Sequence, residues 1–144
     1  MAKKIILFLS SISERATERV YACPDGGSVA GTQTNEAPVK YLLRAWPEVS
    51  EILCVVTPEA MALAWDWFVS EVGALSPEVR VTKIPFPAGE DFTRGPLREL
   101  LDRTRSGDEI LLETTGGPRD AAMYLLLTSR VLSDAGVKTR EFDS

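Results

Sequence analysis

Residues 52–56 read Ile-Leu-Cys-Val-Val, Thr57-Pro58 follow, and Glu59–Val72 continues as EAMALAWDWFVSEV. Five apolar residues in a row have strand length and leave no face for water, as in a strand buried on both sides. Thr57 supplies an N-cap oxygen, and Pro58 suits the first helical turn, where its missing N–H is not needed. The next segment repeats Ala, Met, Leu and Trp at helical spacing. One strand feeding directly into one helix is a βα unit, and the remainder of the chain repeats it.

Working outward, Ile5–Leu9 (IILFL) is a second strand, followed at once by Ser10 and Ser11. Val79–Ile84 (VRVTKI) alternates as a strand, and residues 85–96 form a loop rich in Pro and Gly. Leu97–Thr104 reads as an amphipathic helix stopping near Ser106-Gly107. Ile110–Leu112 is a further buried strand, leading through residues 113–119 (ETTGGPR) into a helix over Asp120–Ser133. Gly136 stops that helix, and Val137–Phe142 is the last strand. Strands alternating with helices specify an α/β fold: a Rossmann-like, mostly parallel sheet with helices on both faces. One insertion breaks the alternation. Val20–Cys23 and Ser28–Gln33 flank Pro24-Asp25-Gly26-Gly27, a β-hairpin signal after strand 1.

The chain has 144 residues, 44% apolar and 26% charged, which suits a single domain over 1–144. It stops within a few residues of the last strand, as expected of a domain cut from a longer effector protein or of a small standalone protein. Sixteen Lys+Arg against 21 Asp+Glu give a net charge of −5, which argues against attraction to bulk DNA, RNA or anionic membrane. There is no histidine, so imidazole triads, Cys-His pairs and His-ligated zinc are excluded. Cys23 and Cys54 lack CxxC spacing, and Cys54 reads as a small core residue. No paired carboxylates have metal-ligand spacing; no metal site and no cofactor is expected. The apolar body of MAKKIILFLS is too short for a signal peptide or a membrane span, so a cytoplasmic protein is the simplest expectation.

Ligands of open parallel sheets bind outside the carboxyl ends of the strands, at the point where the strand order reverses. The residues to inspect are therefore Ser10-Ser11-Ile12-Ser13, Thr57, the loop over 85–95, and Thr114–Arg119. Gly116 and Gly117 permit close backbone approach and positive φ. With Pro118 in the first helical turn, amides from Gly117 to Asp120 would offer a phosphate site, and Arg119 a charge-assisted bond. The alternative is a strand-to-helix turn whose glycines serve packing alone. No GxxxxGK[ST] and no GxGxxG is present, so neither a P-loop nor ordinary dinucleotide binding is supported.

Thr32-Gln33-Thr34-Asn35-Glu36 forms a second cluster. Thr34 or Asn35 caps the helix containing Val39–Ala45, or Gln33 and Asn35 read the edges of a nucleotide base, since amides pair bidentately with adenine. Trp65 and Trp67 lie on opposite sides of one helix, so only one can face the core fully. The run Met123–Leu127 (MYLLL) is either sandwiched against the sheet or partly a dimer surface. Glu59, Glu71, Glu78, Glu99 and Asp102 are expected to be solvated. Glu113 ends a buried strand; it orients Arg119 or loop amides, or points to solvent.

The run Leu111-Leu112-Glu113-Thr114-Thr115-Gly116-Gly117-Pro118-Arg119 resembles the strand-four motif of CRISPR-associated Rossmann-fold (CARF) domains. Those show an apolar strand, an acid, a hydroxyl, then Thr-Gly-Gly or Thr-His-Gly and an Arg. Ile84-Pro85 and Ser106-Gly107-Asp108-Glu109-Ile110 are similar too, as is Thr34-Asn35-Glu36-Ala37-Pro38-Val39 after a hairpin. The branch most similar carries Asp-x-Thr-His-Gly; here Glu113 stands in place of the Asp and Gly116 in place of the His. The resemblance covers nearly the whole chain. It implies a homodimer that binds a cyclic oligoadenylate, the second messenger of type III CRISPR antiviral defence, across its twofold axis and activates an attached effector. The ring is cyclic tetra-adenylate (cA4) or hexa-adenylate (cA6). The alternative it implies is a metal-independent ring nuclease, in which a ribose 2′-OH attacks the adjacent phosphate. It assigns Ser10, Ser11, Thr115, Gly116, Gly117 and Arg119 to the ligand loops. A third, unrelated reading is another flavodoxin-like nucleotide-binding module.

Overall fold

The first strand, β1 (Lys3–Phe8), explains the architecture by itself. Its side chains point alternately to opposite faces. Ile5 and Leu7 join one buried cluster, with Leu9 just beyond the strand, and Ile6 and Phe8 join another. Both faces are dry, so both must be covered by helices. The computed structural model describes residues 2–11 and 18–142.

After β1 come a hairpin of β2 (Arg19–Ala22) and β3 (Ser28–Gly31), helix α1 (Glu36–Ala45) and strand β4 (Val49–Val56). Two helices, α2 (Pro58–Leu63) and α3 (Trp65–Leu75), lead to β5 (Arg80–Pro85). Helix α4 (Pro96–Asp102), β6 (Glu109–Glu113), α5 (Ala121–Asp134) and β7 (Lys138–Phe142) complete the chain. The main sheet has the order β5-β4-β1-β6-β7, and every pairing in it is parallel. Helices α1, α2 and α3 cover the face of Ile5, Leu7 and Cys54, while α4 and α5 cover the face of Ile6, Phe8 and Leu112. The fold is Rossmann-like α/β, as the alternation of strand and helix requires. The hairpin forms a separate antiparallel pair, with Tyr21 opposite Val29. No helix among the described residues is long and apolar enough to cross a membrane.

Three local expectations need correction. The segment after Thr57 is two helices, because Ala64 leaves helical geometry at φ −138°. Its core stripe is Ala60, Ala64, Phe68 and Val72, all buried. Residues four apart drift by about 40° per step around a straight helix of 3.6 residues per turn, and the bend at Ala64 resets that drift. In consequence neither indole faces the core fully: Trp65 and Trp67 are both half-buried, and Phe68 takes the interior position. The run over 123–127 is not sandwiched, since Met123 and Leu126 are exposed while Leu125 is buried. Lastly, Pro118 lies before α5 rather than in its first turn. Gly117 turns the chain at φ +101°, and the Ala121 amide donates to the Pro118 carbonyl at 2.9 Å.

Candidate functional site

The strand order reverses between β1 and β6. The chain goes from β1 outward through β4 to β5, then crosses back to β6 on the other side. The loops after these two strands meet there. The Gly117 amide donates to the Ser10 hydroxyl at 2.6 Å, joining positions 107 residues apart. Two glycines make that approach feasible. A Cβ on Gly116 would overlap the side chain of Asn35, and one on Gly117 would overlap Phe8. The packing role anticipated for these glycines is therefore real, and the phosphate-cradle expectation is narrowed. Gly117 N–H and Ala121 N–H have partners and Pro118 has no N–H, which leaves the amides of Arg119 and Asp120 without an intramolecular partner among the described residues.

Beneath this contact lies a buried polar network. Asn35 occupies the N-cap position of α1, yet its side chain makes no cap hydrogen bond. The capping expectation fails because the amide turns inward to the sheet. Its Nδ2 donates to the Phe8 carbonyl at 3.0 Å and to Glu113 Oε2 at 2.8 Å. Its Oδ1 accepts from the Ser10 amide at 2.8 Å and from Gln33 Nε2 at 2.8 Å. Gln33 Nε2 also donates to the Ser10 carbonyl, and Gln33 Oε1 accepts from the Asn35 amide, both at 2.6 Å. Asn35 and Glu113 are fully buried. Glu113 does not point to solvent, and it orients loop amides rather than Arg119: its Oε1 accepts from the Thr115 amide at 2.6 Å and from the Thr115 hydroxyl. Neither amide side chain presents a free edge, so Gln33 and Asn35 fix the loops after β1 and β6 instead of offering their amides outward.

The residues inferred from sequence separate into distinct places. Ser10, Ser11, Gly116 and Gly117 lie above the β1–β6 crevice; Ile12 and Ser13 lie outside the described residues. Gln33, Thr34, Thr114 and Thr115 line a neighbouring groove of about 780 Å³ between the hairpin, the start of α1 and the end of β7. Thr57 is in neither place: it caps α2 by accepting from the Ala60 amide at 3.3 Å and borders a separate cavity of about 190 Å³. Arg119 is exposed and has no ion pair among the described residues.

The groove also contains residues that the sequence did not single out for a site, among them Tyr21, Cys23, Tyr41 and Phe142. Their one sequence signal is the period-two placement of Tyr21 and Cys23 on a single face of the hairpin arm. The arm is held to α1 by Lys40, which donates to the Ala30 carbonyl at 2.7 Å, and by Arg44, which pairs with Asp25 at 3.2 Å. The mouth of the groove is fixed by Glu36, which accepts from the Thr32 amide at 2.8 Å and pairs with Lys40 at 2.9 Å. Burial pushes the Glu36 carboxyl up, but hydrogen bonds from Lys40 and Thr32 outweigh it and hold the group below the usual glutamate range.

The chain matches no protein-family model and no curated protein. Fold and geometry therefore define the class, a Rossmann-like α/β domain with a groove of about 780 Å³ beside its topological switch point.

Proposed function

We propose that the chain is a sensor domain for a cyclic oligoadenylate, cA4 or cA6, acting in type III CRISPR antiviral defence as a homodimer that activates an attached effector. The observation that carries this is the Ser10–Gly117 hydrogen bond. It joins the two loops that the CARF resemblance implicates, at the sheet position where physical reasoning alone expects a ligand. A C2 dimer would set two copies of this crevice against a ring of repeating units, so that symmetric loops meet symmetric ligand. The net charge of −5 does not oppose this, because a small cyclic RNA is held by amides and hydroxyls in a pocket rather than by a broad basic surface.

The test is calorimetric titration with cA4 and cA6 separately, followed by chromatography of the ligand after long incubation with excess protein. Tight binding of one ring that remains intact supports the sensor. Linear adenylate products would move the reading to the metal-independent ring nuclease. Binding of neither ring overturns both and leaves the flavodoxin-like nucleotide-binding module.

A further inference from the structure

The groove beside the crevice has a chemistry unlike that of an anion site. Among the described residues, none of those lining it is charged. Its lining includes aromatic side chains, Tyr21 on the hairpin and the stacked pair Tyr41–Phe142 at 5.3 Å between ring centroids. It also includes the threonines Thr32, Thr34, Thr114 and Thr115. At about 780 Å³ it falls within the ~300–1,000 Å³ typical of small-ligand sites.

The hydroxyls carry more information than their number. A hydroxyl has one proton to donate and lone pairs to accept with. Thr114 gives its proton to the Phe142 carbonyl at 3.1 Å. Thr32 gives its proton to the Glu36 carboxylate at 3.3 Å, and Thr115 gives its own to Glu113. All three partners are acceptors, so three of the four threonines are left with lone pairs alone. The polar wall is therefore acceptor-rich, and it complements a ligand edge that donates.

We infer that this groove binds a neutral, planar heterocycle bearing an exocyclic amino group, with Tyr21 as its stacking face and the acceptor wall of Thr32, Thr114 and Thr115 supplying oxygens for the two N–H donors of the amine. Under the proposed function, on which the identity of the base rests, the heterocycle is an adenine of the messenger, and its phosphates stay at the Ser10–Gly117 crevice. The inserted hairpin then has a specific task. Its Tyr21–Val29 pair and Cys23 form one wall of a base pocket that the five-stranded sheet alone would lack. An oxo group at the same position would set oxygen lone pairs against oxygen lone pairs, so the groove discriminates amino from oxo bases.

Adenosine and inosine differ by that one group and test the inference directly. Titrating the intact, isotope-labelled chain with each at millimolar concentration, followed by amide NMR, is expected to give saturable shifts at Tyr21, Cys23, Thr32, Thr114 and Thr115 for adenosine. Inosine should bind roughly 5- to 100-fold more weakly, the loss expected when buried polar groups go unpaired. Tyr21→Ala should weaken adenosine by about 5- to 100-fold, and Tyr21→Phe should retain it, since stacking needs the ring and not the hydroxyl. Tyr21 is 45% exposed, so its loss leaves the core intact. Equal affinity for the two nucleosides, no saturable shift, or shifts centred away from the groove would overturn the inference. Adenosine binding in the groove without binding of either cyclic ring upholds it and sinks the sensor reading. Ring binding with adenosine shifts elsewhere does the reverse.

Discussion

The side-chain amide of Asn35, at the threshold of α1, donates to the carboxylate of Glu113, at the end of β6, at 2.8 Å across 78 positions of sequence. The same amide nitrogen reaches the Phe8 carbonyl at the end of β1. One side chain thus ties the first strand, the motif strand and the first helix into a single rigid corner beneath the candidate ligand loops. Low dielectric makes such a network strong when complete and costly when any member is missing.

Asn35→Ala should therefore cost about 2–4 kcal/mol of stability, because it strands the Ser10 amide in a dry interior and removes the hydrogen bonds to the Phe8 carbonyl and to Glu113. Asn35→Asp keeps the volume but sets a second carboxylate against Glu113, and should be at least as damaging. Urea denaturation of the two variants checks this. A midpoint indistinguishable from the parent for either would mean that the network is decorative.

The glycines separate tertiary demand from local convenience. Gly116→Ala should destabilise by roughly 1–3 kcal/mol, since the new methyl overlaps the Asn35 side chain, which the network holds in place. Gly117→Ala should be worse, because positive φ adds about 1 kcal/mol to the overlap with Phe8. Gly73, inside α3, meets nothing within contact distance, and Gly73→Ala should raise stability by about 0.5–1 kcal/mol through helix propensity. Thermal melts of the three variants give the order directly; destabilisation at position 73 would contradict the open geometry there.

Much of the architecture was legible because it rests on local pattern. The apolar runs at Ile5–Leu9 and Ile52–Val56 have strand length and turn residues at their ends, Ser10-Ser11 and Thr57-Pro58, which favours doubly buried strands over helix segments. Pro24-Asp25-Gly26-Gly27 spells its turn, and Gly26 does adopt φ +86°. The site was only half legible. A polar residue just before a helix is a cap by every local rule, and what draws Asn35 inward is Phe8 and Glu113, contributed by distant strands. The groove was hidden for the same reason. Tyr21, Tyr41 and Phe142 belong to a hairpin, a helix and the last strand, and only tertiary packing brings them together.

Acid should act through two carboxylates, the buried Glu51 on β4 and the half-buried Glu36 at the start of α1. Burial raises the Glu51 carboxyl, but the hydroxyl of Thr82 and the ammonium of Lys4 at 3.0 Å bring it below the usual range, and Glu36 is lowered likewise by Lys40 and Thr32. A carboxylate whose folded pKa lies below its unfolded value stabilises the protein above the unfolded pKa, and that contribution disappears as pH falls through the folded one. The melting temperature should thus hold from neutral pH down to about 5 and fall below about 4.5. Glu51→Gln and Glu36→Gln should each flatten that acid limb, with a lower plateau at neutral pH. An unchanged acid limb in both variants would show that other groups govern it.

Arg119 offers the sharpest check on ligand charge. Its guanidinium is exposed and has no ion pair among the described residues, so removing it leaves no buried acid unpaired. Arg119→Ala should leave the melting temperature within about 1 °C of the parent, as for surface substitutions that break no network. If the guanidinium meets a phosphate of the cyclic ligand, the same change should weaken cyclic oligoadenylate binding by about 1.5–3 kcal/mol, and Arg119→Lys should recover only part of it, since an ammonium lacks the bidentate fork. Calorimetry at two salt concentrations reads both effects, because a charge contact also reduces the salt dependence when it is lost. An unchanged affinity and unchanged salt slope in Arg119→Ala would remove the Arg119 guanidinium from the site.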